Sequence, residues 1–299
     1  MASQIMNLIL LTFGERLENH YQAAFAILSF LKDPLVQRVI VVTDQKDFYH
    51  FFNGKVDIID INKQTLNEWQ GEQQFFWRIK IKALEYVQIH YPNEHLLYID
   101  SDTFLAGNLA IIDAQLNQGH TLMHKRECAL ADNTDNTLQK MYLALKGKFF
   151  AGIEINAQSS MWNAGVIALP AGKAQEIIRL SLQICDEICT TDCPRRLVEQ
   201  FAFSIALAHS AEMKACDDVI GHYWGNKPEW NKMIADFFAE TLLKQFSLLQ
   251  CIALVASSDW NKLPLHKKQR STNLKLKCLI DKLFCDKNIH YFTDKKKCG

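Results

Sequence analysis

No stretch of the sequence reaches the roughly 20 consecutive apolar residues that a membrane-spanning helix needs. The longest apolar-rich candidate, Leu248 to Ala256, falls far short. The N-terminus, M-A-S-Q-I-M-N, has neither the basic region nor the longer apolar stretch of a signal peptide. Glycine (12) and proline (6) are sparse among the 299 residues. No Pro/Gly-rich linker, internal repeat or low-complexity segment interrupts residues 1–260, which reads as one domain. Net charge is also lacking, with 33 Lys/Arg against 33 Asp/Glu. The nine cysteines are odd in number and follow no regular spacing, which argues against a disulfide framework. Together these absences predict a cytoplasmic protein with reduced thiols. Cys185, Cys189 and Cys193 recur at i, i+4, i+8 and would line one helix face, but as zinc ligands they lack a fourth partner.

The neutral total hides an uneven distribution. From Lys262 to Gly299 there are 11 Lys/Arg and 3 Asp/Glu, a local balance of +8, so the remaining residues balance at −8. Residues 261–299 therefore read as a basic, helical C-terminal tail on a mildly acidic body. Such a tail suits an anionic membrane surface or an acidic partner, and equally a solvated helix. From Ser271 to Phe284, leucines and isoleucine (Leu274, Leu276, Leu279, Ile280, Leu283) interleave with Lys275, Lys277 and Lys282, as in an interfacial amphipathic helix. Nucleic acid is not among the expected partners.

Hydrophobic residues make up 48% of the chain, enough for a substantial core. Met6 to Thr12, Arg38 to Asp44, Lys55 to Ile61 and His95 to Asp100 read as buried strands. Helical patterns lie between them at Glu18 to Leu31 and Gln73 to Tyr91. Strands that are continuous apolar runs, alternating with helices, predict an α/β fold with a mainly parallel sheet covered on both faces. The second half continues with a strand at Met161 to Leu169 and helices at Ala174 to Ile188 and Arg195 to Ala208. A short element follows near Met213 to Ile220.

In such sheets, ligands sit beyond the carboxyl ends of the strands. There the run L-L-Y-I ends in D-S-D, placing Asp100 and Asp102 at i and i+2, where extended chain projects both to one side. Two carboxylates at a strand end can hold a hard divalent cation whose remaining positions are filled by phosphate oxygens. A turn or helix cap would explain Asp102 but not the placement of both. Downstream by 120 residues comes G-H-Y-W-G-N-K-P-E-W. In it His222 offers an imidazole, Gly225 a close backbone approach and Lys227 a point charge, a set suited to phosphate and metal.

At these residues the chain resembles the GT-A glycosyltransferases, and most of all glycosyltransferase family 8, which includes glycogenin and the lipopolysaccharide galactosyltransferases. The resemblance spans residues 6–230. It implies a Rossmann-like GT-A fold and a metal held by Asp100, Asp102 and His222, with manganese the expected ion and magnesium the alternative. The family's H-F-x-G-x-x-K-P-W loop reads H-Y-W-G-N-K-P-E-W here, one residue shorter between Gly and Lys. Leu11, Thr12 and Phe13 stand where the family's first strand holds uracil, and Ser101 lies between the metal ligands. Arg78, in F-W-R-I-K-I-K-A-L, matches the helix that presents a basic residue to the donor, while Lys80 reads as a solvated helix face. In M-W-N-A-G-V, Asn163 would line the sugar pocket. Glu199-Gln200 stands where the family has D-Q beside the anomeric carbon. Trp69, Phe75, Phe76 and Trp77 read as core, or as a stacking platform for a hexose.

The resemblance thus implies transfer of a hexose from a nucleotide sugar, UDP-hexose above all, to an acceptor hydroxyl with retention. The alternatives on the same scaffold are a non-catalytic UDP-sugar-binding protein, a donor hydrolase and a sugar-1-phosphate nucleotidyltransferase. The last has a G-x-G-T-R-L type first loop, whereas F-G-E-R-L at Phe13 to Leu17 has a single glycine.

Overall fold

Alternating buried strands and amphipathic helices build the first half of the chain. They are β1 (Met6–Thr12), α1 (Leu17–Phe30), β2 (Val36–Thr43), β3 (Asp57–Asp60), α2 (Lys63–Trp69), α3 (Arg78–His90) and β4 (His95–Ile99). The computed structural model describes residues 5–52, 54–267 and 271–284. After β4 come β5 (Thr103–Leu105), α4 (Ala110–Asn117), β6 (Thr121–Met123), β7 (Arg126–Ala129) and α5 (Asn136–Leu145). A two-stranded hairpin, β8 (Phe149–Phe150) and β9 (Ile153–Glu154), precedes β10 (Ser160–Trp162), β11 (Val166–Leu169), α6 (Ala174–Cys189) and α7 (Val198–Ser210). The series closes with β12 (Met213–Ala215), β13 (Ile220–His222), α8 (Lys227–Leu243) and α9 (Leu248–Ala256).

The seven-stranded sheet has the order β12-β6-β11-β4-β1-β2-β3. Its pairs are parallel except those of β11, which runs antiparallel to both β4 and β6. The sheet is thus mainly parallel, as the alternating pattern predicts. Residues of β1 and β4 are buried on both faces because helices cover both, so the two faces feed two separate apolar cores. One core lies under α3, α6 and α7, the other under α1, α8 and α9.

Two expectations change. The helix expected from Gln73 begins only at Arg78, because Gly71 and Gln74 adopt positive φ (68° and 48°) and turn the chain before it. The single strand expected from Met161 to Leu169 is two strands in different sheets. β10 pairs with β7, β11 joins the main sheet, and Asn163-Ala164-Gly165 forms the break between them.

The chain divides into two compact units, Met1–Leu265 and His266–Gly299. In the second, α10 spans Ser271–Leu283 and exposes Leu276, Leu279, Ile280, Leu283 and Phe284. The rest of the expected basic tail, residues 285–299, lies outside the described residues, as do the side chains of Leu274, Lys275 and Lys277. Among the described residues no helix is long and apolar enough to cross a membrane.

Candidate metal and diphosphate site

The carboxyl ends of β1 and β4 lie side by side in the sheet, and D-S-D follows β4 directly. The Thr103 hydroxyl donates to the Asp100 carbonyl (2.8 Å), closing the turn. β5 then pairs antiparallel with β13 in a register that sets His222 opposite Thr103. The Tyr223 N–H donates to the Asp102 carbonyl (3.1 Å). This short ladder brings a histidine 120 residues away beside the two aspartates. One ligand atom each from Asp100, Asp102 and His222 lie within 4.8 Å of one another. It is the only such group of three or more His, Cys, Asp or Glu among the described residues.

The tautomer of His222 follows from its neighbours. Asn163 Nδ2 donates to the Glu127 carboxylate (2.9 Å), which turns Oδ1 toward the Gly165 N–H (3.0 Å) and His222 Nδ1 (3.1 Å). A carboxamide oxygen only accepts, so Nδ1 carries the proton and Nε2 is left facing Asp102, 3.3 Å away. An imidazole oriented by an outer hydrogen bond, together with two carboxylates, is a donor set that fits a divalent cation. Gly165 is required for this packing: a Cβ there would overlap the His222 ring.

The electrostatics around the aspartates are asymmetric. Burial by itself pushes the Asp102 carboxyl up, but a doubly protonated His222 ring, donating from Nε2 as well, together with the Lys227 ammonium outweighs it and holds the group well below the usual carboxylate range. Lys227 Nζ lies 2.9 Å from Asp102 Oδ2 on a half-exposed side chain that can swing toward an anion. Asp100 Oδ1 accepts from the Tyr98 hydroxyl (2.8 Å) and lies 3.2 Å from Lys80 Nζ.

Lys80 corrects the sequence reading, which placed it on a solvated face. It is buried beneath the site, where its ammonium bridges Asp100 and Glu199 (3.1 Å), donates to the Ala164 carbonyl (3.2 Å) and lies over the Tyr98 ring. Burial pushes its pKa down, yet the two carboxylates more than compensate and raise it, so it stays charged. Burial raises Glu199, an effect only partly opposed by the Lys80 charge. Arg78 points elsewhere. Its guanidinium forms a fork with Asp186 (2.6 and 3.0 Å) and donates to the Trp69 carbonyl, in a separate pocket between α3 and α6.

Two cavities meet at this cluster and share Trp77, Lys80, Asp100, Asp102 and Lys227. One, of about 170 Å³, runs under the end of β1 and is lined by Leu11, Thr12, Phe13, Asn19, Phe76 and Ser101. The other, of about 850 Å³, is lined by Glu127, Asn163, Gln200, Arg196 and His222. Of the neighbouring pair, Gln200 lines this cleft while Glu199 sits buried beneath it. Gly225 lies in the loop between β13 and α8 that carries Lys227 to the site. Glu127 was missed by sequence reasoning. It bridges Asn163 and Gln200, accepting from Gln200 Nε2 at 3.1 Å, and its position on β7 carries no motif. Cys185, Cys189 and Cys193 are free, buried thiols of the core.

No known protein-family profile matches the chain, and no curated protein matches it. Among solved structures it is similar to the galactosyltransferase LgtC in complex with donor and acceptor sugar analogs. The identity is 11%, over 86% of this chain and 98% of that one, with a TM-score of 0.49. It is also similar to an active-site mutant of LgtC (12% identity, 70% and 72% covered, TM-score 0.47). A third is mouse xyloside xylosyltransferase 1 in its apo form (12%, 71% and 84%, TM-score 0.45).

Proposed function

We propose that this chain is a metal-dependent glycosyltransferase that moves a hexose from a nucleotide sugar, with a UDP-sugar as donor, to an acceptor hydroxyl with retention. One observation carries the reading: the Asp100–Asp102–His222 cluster sits, with Lys227, where a narrow aromatic cavity opens into a wide polar one. That layout suits a nucleoside in the first cavity, a diphosphate at the junction and a sugar with its acceptor in the second.

A divalent cation, manganese in this reading, would be held by Asp100, Asp102 and His222 and would neutralise charge on the departing diphosphate. The remaining work belongs to the chain. Lys227 leaves Asp102 to meet a phosphate oxygen, adding positive charge where the leaving group develops negative charge. Lys80 holds the Asp100 carboxylate in place from below. Gln200 and Asn163, both held by Glu127, orient the hexose in the cleft. Glu127, exposed on the cleft wall, is placed to accept a hydrogen bond from the acceptor hydroxyl. The basic tail with its exposed leucines is proposed to touch an anionic membrane surface on the cytoplasmic side.

The test is a panel of UDP-, GDP- and dTDP-hexoses incubated with the protein and manganese, read as release of free nucleotide. The reading expects slow, EDTA-sensitive release from a UDP-hexose, accelerated by the correct acceptor. Binding without any release would make the chain a sugar-nucleotide carrier instead.

A further inference from the structure

The wide cleft carries a surplus of positive charge that its own acids do not use. Lys125, Arg126 and Arg196 all line it, and none has a carboxylate within ion-pair distance among the described residues. The acids on the same walls are engaged elsewhere. Asp100 and Asp102 face Lys80 and Lys227, and Glu127 accepts from Asn163 and Gln200. Asp135 caps α5, accepting from the Thr137 and Leu138 N–H groups (2.8 and 3.2 Å). The surplus also runs against the composition, because residues 1–261 balance at −8. Like charges gathered without counter-ions stabilise nothing in the fold, but in a cleft they focus a field that draws an anion in.

The three cations come from two walls. Lys125 and Arg126 lead into β7, while Arg196 sits in the short turn Arg195–Leu197 ahead of α7, four residues before Gln200. Their neighbours show the difference between a structural cation and a spare one. Arg195 donates to the Gln73 and Cys189 carbonyls (2.7 and 3.2 Å), which ties the turn down. The exposed Arg196 guanidinium and the half-buried Lys125 ammonium make no hydrogen bond among the described residues. Arg126 donates from Nε and Nη2 to the Ser160 hydroxyl (3.1 and 3.0 Å), which fixes the guanidinium and leaves Nη1 unpaired. None of the three borders the narrow cavity, whose shared lining with the cleft holds Asp100, Asp102 and Lys227. They therefore belong to the part of the cleft left for the sugars, beyond the diphosphate.

We propose that Lys125, Arg126 and Arg196 select an acceptor sugar that carries a negative charge, a phosphate or a carboxylate, beside the hydroxyl that is glycosylated. Either anion suits the planar fork of an arginine. The inference rests on the glycosyltransferase reading above, and deepens it by naming the acceptor class.

The test is saturation-transfer NMR on the full chain with UDP and magnesium bound, so that the diphosphate position is filled. The probes are glucose, galactose and mannose, each with its 6-phosphate and its uronate, which separates the two sources of the anion. At least one charged form should bind about tenfold to a hundredfold tighter than its neutral parent, the range that one or two charge-assisted contacts give. The preference should shrink in about 1 M NaCl, where the screening length is about 3 Å. The double variant Lys125→Gln, Arg196→Gln should lose most of it, with UDP binding and circular dichroism unchanged. Charged sugars binding no tighter than their parents, or a preference that the double variant keeps in full, would overturn the acceptor class while UDP binding leaves the donor reading intact. Failure of the unaltered chain to bind UDP would remove both.

Discussion

Replacing Lys80 by Met removes the one cation between Asp100 and Glu199 while keeping a similar volume of side chain. Asp100 is 30% exposed at its side chain and can turn to water, so its loss is small. Glu199 cannot, because its side chain is 9% exposed and its Oε1 accepts no hydrogen bond to fall back on. Removing one partner of such a buried pair costs about 3–5 kcal/mol, a large part of the roughly 5–15 kcal/mol that holds a domain folded. The sign of the pH dependence is fixed. A carboxyl whose folded pKa is raised keeps its stability contribution below its unfolded pKa, in the carboxylate range, and loses it as pH rises through the folded value. Burial already raises Glu199, and losing Lys80 raises it further. The penalty in Lys80→Met should therefore be smaller at pH 5 than at pH 8, and adding Glu199→Gln should recover most of it and abolish the pH dependence. Urea unfolding of the four proteins at both pH values gives the cycle. A Lys80→Met penalty below about 1 kcal/mol, equal at both pH values, would show that Lys80 is solvated and refute the arrangement.

Other consequences follow from single contacts. Arg78→Ala should cost about 1–2 kcal/mol of stability through the lost fork to Asp186, and leave UDP affinity unchanged within twofold by calorimetry. Gly165→Ala, whose methyl would displace the His222 ring, should weaken manganese binding about tenfold to a hundredfold as read by paramagnetic titration. His124 is buried with its Nε2 on the Ile220 carbonyl (3.0 Å), and burial pulls its pKa down to about 4. A lowered histidine contributes stability that is complete above its unfolded pKa of about 6.5 and is lost as pH falls toward 4, so about 2 kcal/mol should disappear between pH 7.5 and 5. His124→Gln should show that much less acid sensitivity in urea unfolding, and an unchanged slope would remove His124 from the account.

The strands and the cluster of Asp100, Asp102 and His222 were legible because their signals are local. L-L-Y-I followed by D-S-D states both the strand and the placement of its acids. The loop around His222 combined residue types that phosphate chemistry needs within a few positions. Lys80 was misread because R-I-K-I-K looks the same whichever lysine faces inward. Its phase is set by where α3 starts, which depends on the left-handed turn at Gln74. The partner of Arg78, Asp186, lies 108 residues away on α6, so no local pattern announces the fork between them. Glu127 carries no motif, and only the pairing of β7 with β10 sets it beside Asn163. The break at Asn163 to Gly165 was hidden inside a continuous apolar pattern, although a glycine there is what admits the His222 ring.

The central claim is that Asp100, Asp102 and His222 hold a cation that in turn holds a nucleoside diphosphate. Calorimetry of UDP against the full chain, with manganese and then with EDTA, tests it most directly, with Asp102→Ala alongside. The account predicts that UDP binds only with manganese and that Asp102→Ala loses this metal-dependent binding. UDP binding equally well in EDTA, or binding Asp102→Ala with the same affinity and metal dependence, would contradict it.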